Sequence, residues 1–142
     1  MALHELRRAT RDIDTVTRIT AAIRAALDAI AAEHGFEADW LNDRAAMYAP
    51  QGLVEEACEV LLDHPRLHVL GPPSAYIFVM KLYAARGEVD HDDMVRLWPH
   101  CTFTTPDEAV ALYWEAYPHA PEDEGLADYV EQIAGEAIRL AH

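Results

Sequence analysis

From Ile19 onward, apolar residues recur at three- and four-residue spacing through Ala22, Ile23, Ala26, Leu27, Ile30 and Ala31, the period of one helix face. Thr17 is placed to cap this helix and Gly35 to end it. Ahead of it, residues 1–8 read as a helix end or a loop. Ile13, Thr15, Val16 and Thr17 suit a strand over residues 12–17, against which the carboxylates of Asp12 and Asp14 work. Residues 39–43 form a short segment with polar flanks. Beyond Pro50 and Gly52, residues 57–62 and 67–70 read as a hairpin or two neighbouring strands around Asp63-His64-Pro65-Arg66, with a helix starting at Glu55 and Glu56 as the alternative.

The second half of the chain is patterned for helices. Ser74 can cap residues 75–86, which are apolar around the whole circumference except at Lys81; such a helix is buried. Residues 90–98 form a short helix with Met94, Leu97 and Trp98 facing in. Thr105-Pro106-Asp107-Glu108 combines a cap, a proline at the first helical position and acids in the first turn, so a helix runs from there to about Tyr117, before Pro118. A last helix over residues 123–140 buries Leu126, Val130, Ile133, Ala134, Ala137 and Ile138. Two or three strands among five helices predict an α+β fold: a small mixed sheet with flanking helices, in a single domain spanning 1–142. Within it, 1–70 is the sheet-containing part and 71–142 a helical part packed on it.

Length and composition narrow the class. A chain of 142 residues buries enough surface to need no disulfide or metal staple. Its 51% of hydrophobic residues is broken by charge well short of the ~20 a membrane span requires. The expectation is a soluble cytoplasmic protein with no leader and no membrane partner. Cys58 and Cys101 lack Cys-x-x-Cys spacing and read as small buried hydrophobes.

Charge changes the picture further. With 11 basic against 25 acidic side chains the net charge is −14, which repels free nucleic acid from the average surface. A locally basic patch remains, because residues 1–11 carry Arg7, Arg8 and Arg11 against Glu5 alone. There is one lysine, Lys81, beside ten arginines. A lysine that survives such a bias is a candidate for chemistry, since an ammonium on a flexible stem is not equivalent to a guanidinium.

In a strand, Asp12 and Asp14 point to one face, where two like charges repel unless a cation lies between them. Hard oxygen ligands suit Mg²⁺, which takes one or two protein carboxylates and fills its octahedron with water and phosphate. The competing reading places both acids in a solvated turn. Lys81 in its apolar helix must meet a carboxylate (Asp12, Asp14, Asp90, Asp92 or Asp93), contact a triphosphate, or reach solvent at the helix edge. Asp90-His91-Asp92-Asp93 offers metal-ligand types, but three acids and one His opening a short helix more often serve as N-terminal capping and dipole stabilisation. The eight histidines show no zinc spacing, and there is no Gly-x-Gly-x-x-Gly, phosphate loop or Gly-x-Ser-x-Gly elbow. Rossmann dehydrogenase, P-loop NTPase and serine hydrolase readings are therefore disfavoured.

The segment Arg8-Ala9-Thr10-Arg11-Asp12-Ile13-Asp14 resembles the Arg-x-Thr-x-Asp-Ile-Asp segment of nucleotidyltransferase-like proteins of the AbiE-type toxin group, a branch of the polymerase-beta-like superfamily. Trp40-Leu41-Asn42-Asp43 is similar to that group's Trp-Leu-Asn-Asp, and Lys81-Leu82-Tyr83-Ala84 with Arg86, Asp90 and Asp93 to its Lys-Leu-x-Ala…Arg…Asp-x-x-Asp pattern. The resemblance implies that Asp12 and Asp14 hold Mg²⁺. It also implies that Lys81 contacts nucleotide or orders the acids, that Asp93 completes the catalytic set with Asp90 beside it, and that Arg8 and Thr10 orient the metal strand or the phosphates. Asp63 is the only acid to name as a third metal carboxylate. Implied chemistry is Mg²⁺-dependent transfer of a nucleoside monophosphate from an NTP to a hydroxyl on RNA, such as tRNA, or on protein, by the toxin of a toxin–antitoxin pair. Family members carry a helix and a strand ending in Gly-Gly or Gly-Ser just ahead of the position of Met1, and the 142 residues contain no counterpart. Three readings follow: a natural start that lies upstream, a truncated form of that fold, or a second chain, a homodimer partner or an antitoxin, covering the incomplete sheet edge; a catalytically degenerate binding protein on the same fold is the alternative to the enzyme.

Overall fold

The computed structural model describes residues 13–84 and 87–142, with the backbone alone at 87–89. Arg8, Thr10 and Asp12 lie outside the described residues. The fold is α+β, with five helices and, among the described residues, two separate two-stranded sheets instead of one mixed sheet. It divides into two compact units, residues 1–49 with 59–71 and residues 50–58 with 72–142.

The first unit is built on a strand–helix–strand crossover. Strand β1 (Ile13–Asp14) lies parallel to β2 (Leu41–Asn42), with Ile13 opposite Leu41 and Asp14 opposite Asn42. The N–H groups of Ile13 and Thr15 donate to the carbonyls of Trp40 and Asn42, both at 2.7 Å. The strand stops at Asp14, short of the 12–17 reading: Thr15 turns back, its Oγ1 accepting from the Thr17 N–H at 3.2 Å, a local bond that competes with the ladder. Parallel strands need a crossover, usually helical, and α1 (Ala21–His34) provides it. Its cap is Thr20, whose hydroxyl accepts from the Ile23 N–H, and not Thr17. Gly35 ends it in the left-handed region at φ 70°, where a side chain is disfavoured.

Antiparallel strands β3 (Glu59–His64) and β4 (Leu67–Gly71) complete this unit across the two-residue turn Pro65–Arg66. The register slips between Val60 and Leu62, so Leu61 is an extra, bulged residue. Its side chain lies over Gly71, where an added Cβ would sit 3.0 Å from the Leu61 Cδ1. Leu27, Ile30, Ala31, Trp40 and Leu41 form the core, with Ile19, Ile23, Leu62, Leu67 and Val69 packed against it. The Trp40 indole N–H donates to the Leu27 carbonyl at 3.2 Å, giving a buried ring the partner it needs.

In the second unit α2 (Ser74–Ala84), α3 (Gly87–Leu97), α4 (Pro106–Ala116) and α5 (Leu126–Leu140) pack around Phe78, Val79, Met94, Val130 and Ile133. Helix α4 starts with a full capping box: Thr105 accepts from the Glu108 N–H, and the Glu108 carboxylate accepts from the Thr105 N–H. Met94, Leu97 and Trp98 are buried as their spacing requires, but Ile138 is not; it is 57% exposed. Eight residues past Val130, it lies roughly 80° round the helix, beyond the stripe that Ile133, Ala134 and Ala137 define. No helix among the described residues is long and apolar enough to cross a membrane.

Candidate functional site

Three places in the described residues collect chemistry-bearing side chains: the carboxyl edge of the β1–β2 pair, the Lys81 cluster, and a Glu–His–His group.

At the carboxyl edge of the parallel pair stand Asp14, the last residue of β1, and Asn42, the last of β2, in register with it. Asp14 is exposed. Asn42 is the one buried polar residue among those described, at 8% exposure. Its Oδ1 accepts from the Arg44 N–H at 3.1 Å, whereas its Nδ2 is buried with no hydrogen-bond partner. Next along the chain, the Asp43 Oδ2 accepts from the Ile19 N–H at 3.3 Å and ties this turn to the segment leading into α1. No acid of α1 itself occupies its first turn; the Asp43 carboxylate on the Ile19 N–H is the anion at that end of the helix. Asp14 offers a hard, exposed oxygen donor of the type Mg²⁺ takes, so the donor chemistry fits that ion.

Asp63, named above as a third carboxylate, is on the β3–β4 hairpin and not on a neighbour of β1. It is exposed and lies 3.2 Å from His68 Nε2 across the hairpin.

In the second unit the single lysine meets two carboxylates. Lys81 Nζ is 3.0 Å from Asp90 Oδ1 and 2.9 Å from Asp93 Oδ2, with side chains only 16%, 21% and 11% exposed. Asp90 and Asp93, one turn apart on α3, face the same way, and the ammonium of α2 lies against both. Lys81 thus satisfies its burial by pairing and does not run out to solvent. Further along α3, His91 is held at both ring nitrogens. Nε2 faces the Glu136 Oε2 at 2.8 Å and Nδ1 the Tyr129 hydroxyl at 3.0 Å. Because a carboxylate only accepts, Nε2 carries a proton, and in the neutral ring Nδ1 accepts from Tyr129. Burial, with the negative charges of Asp90 and Glu136 added, pushes the Tyr129 hydroxyl pKa up.

Glu136 is held below the usual carboxylate range, first by the Gln132 amide and then by His91. Glu108 is lowered by the backbone N–H groups of Thr104 and Thr105. A depressed folded-state pKa contributes stability that is present above the unfolded value of 4.5 and is lost as pH falls through the lower folded value. The stability measured by urea unfolding is therefore expected to fall as pH drops below 4.5. Glu108→Gln and Glu136→Gln should each flatten that slope; an unchanged slope in both would contradict the assignment.

Neither cysteine is fully buried, and both are free. Burial still pushes the Cys101 thiol up to about 12, which leaves it protonated and unreactive at neutral pH.

The third group was invisible to local spacing: Glu33 and His34 end α1 and His64 ends β3, with ligand atoms within 4.8 Å of one another. His64 Nε2 is 3.0 Å from Glu33 Oε2, and its Nδ1 accepts from the Arg66 N–H at 3.1 Å. An Nδ1 that accepts places the proton on Nε2, where it serves Glu33. Metal coordination at Nε2 needs the opposite tautomer, with Nδ1–H donating to an acceptor. Both ring nitrogens of His64 are thus engaged without an ion.

Compared with protein-family models, with curated proteins and with solved structures, the chain matches none.

Proposed function

We propose that the protein is a Mg²⁺-dependent nucleotidyltransferase that moves a nucleoside monophosphate from an NTP to a hydroxyl on RNA or protein, as the toxin of a toxin–antitoxin pair. One observation carries the reading most: Ile13 and Asp14 of the segment resembling the Asp-Ile-Asp motif form the first strand of a parallel strand–helix–strand unit, and Asp14 ends that strand. In open sheets of this kind ligands bind outside the carboxyl ends of the strands. Asp14 lies there, in register with Asn42.

In this reading Asp12 and Asp14 would hold the ion, whose chemistry is to neutralise the triphosphate and activate the acceptor hydroxyl. The acceptor oxygen bonds to the α-phosphorus, the bond to pyrophosphate breaks, and the hydroxyl proton leaves. Arg8 and Thr10 would orient the phosphates. Lys81, engaged with Asp90 and Asp93, serves as the group that orders those acids. A −14 chain suits a small acceptor or one met through Arg7, Arg8 and Arg11 alone.

Release of pyrophosphate from each of the four NTPs, with total tRNA or protein as acceptor, tests this. Turnover with Mg²⁺ that stops in Asp12→Asn and Asp14→Asn is the expected result, and no turnover with any NTP would overturn it. A binding role without transfer is favoured by the shortness of the sheets, each of two strands among the described residues, and by Val60 of β3, 57% exposed. Self-association or antitoxin pairing in a protein that binds no NTP would establish it.

A further inference from the structure

We propose that Asn42 is a nucleotide-contacting residue: its buried side-chain amide, left without an acceptor beside Asp14 at the carboxyl edge of the β1–α1–β2 unit, donates to a phosphate oxygen of the bound triphosphate. The proposal rests on the transferase reading and deepens it.

A buried donor with no partner keeps the full cost of its lost hydration, and native structures rarely keep one. Asn42 keeps one at a position where the strand pattern would accept Val or Ile at no such cost. The orientation of its amide is fixed by chemistry, because the Arg44 N–H requires the oxygen toward it. Nδ2 is therefore the orphan. Its position follows from three bonds. Asn42 is opposite Asp14, its oxygen is turned toward the 42–44 turn that leaves the strand, and Asp43 of that turn holds the Ile19 N–H just ahead of α1. An orphan donor and a metal-type carboxylate in register with it share one preference, a ligand that bears oxygen acceptors together with a cation. The triphosphate of a Mg²⁺–nucleotide is that ligand.

Asn42 is the only asparagine in the chain, which makes the test direct. A sample labelled with ¹⁵N at asparagine shows one side-chain amide pair, titrated with inorganic tripolyphosphate plus Mg²⁺, with each NTP plus Mg²⁺, and with nucleosides alone. Shifts of that pair with tripolyphosphate and with NTP, but not with nucleosides, are expected. Asn42→Leu, close to it in size, is expected to bind tripolyphosphate and NTP about tenfold more weakly, while its urea midpoint separately reads the net of removing the orphan and losing the acceptor of the Arg44 N–H. If NTP binds to wild type and the amide pair stays fixed, a structural water satisfies Nδ2 and the proposal fails while the transferase reading stands. If only nucleosides shift the pair, the amide reads base or sugar, and the phosphate assignment is wrong. If no NTP binds at all, both fall together.

Discussion

Replacing Phe78 with alanine is expected to lower the stability of the helical unit by about 3–5 kcal/mol, the range for removing a fully enclosed aromatic ring. Phe78 is 0% exposed. It meets Trp98 edge-on at 5.6 Å and Phe103 at 5.3 Å, and edge-to-face pairs add to the plain burial of area. Two large rings on fixed backbone cannot collapse into the space a phenyl leaves, so the cavity term stays. Urea unfolding followed by tryptophan fluorescence measures it, and a loss under about 1 kcal/mol would mean that this cluster repacks freely.

Lys81→Met is expected to cost about 3 kcal/mol, the lower end for breaking a buried ion pair. The substitution keeps the apolar stem but takes away the cation shared by Asp90 and Asp93, which stay among the least exposed acids of the helical unit. Because those acids have further contacts, the loss stays at the lower end. Adding Asp93→Asn to Lys81→Met should restore part of the stability, as removing both partners is milder than stranding one. A change within about 0.5 kcal/mol would place the cluster with surface ion pairs, which contribute little.

The helices were legible because each carries a repeated signal. Thr105-Pro106-Asp107-Glu108 specifies a start through its own side chains, and Gly35 a stop through its backbone freedom. Edges were harder. Thr17 and Thr20 are equally good caps on paper, and the choice between them follows from the turn at Thr15. Ile138 fails because a hydrophobic side chain at the border of a stripe looks like a member of it. At the site, Lys81 could be singled out from composition, but its choice among five acids depends on how α2 lies against α3. Glu33, His34 and His64 are thirty residues apart and meet only through packing of the first unit. Asn42 entered the sequence reading only within the Trp40–Asp43 stretch, with no role of its own. Its importance comes from burial and from an unmet donor, neither of which a sequence displays.

The most direct measurement of the central claim is calorimetric titration of the wild-type chain with each NTP in the presence of Mg²⁺, beside Asp12→Ala and Asp14→Ala. The account predicts saturable heat with at least one NTP, abolished by removing Mg²⁺ and lost in both variants while their urea midpoints stay near that of the wild type. Heats indistinguishable between the wild type and the two variants would contradict it.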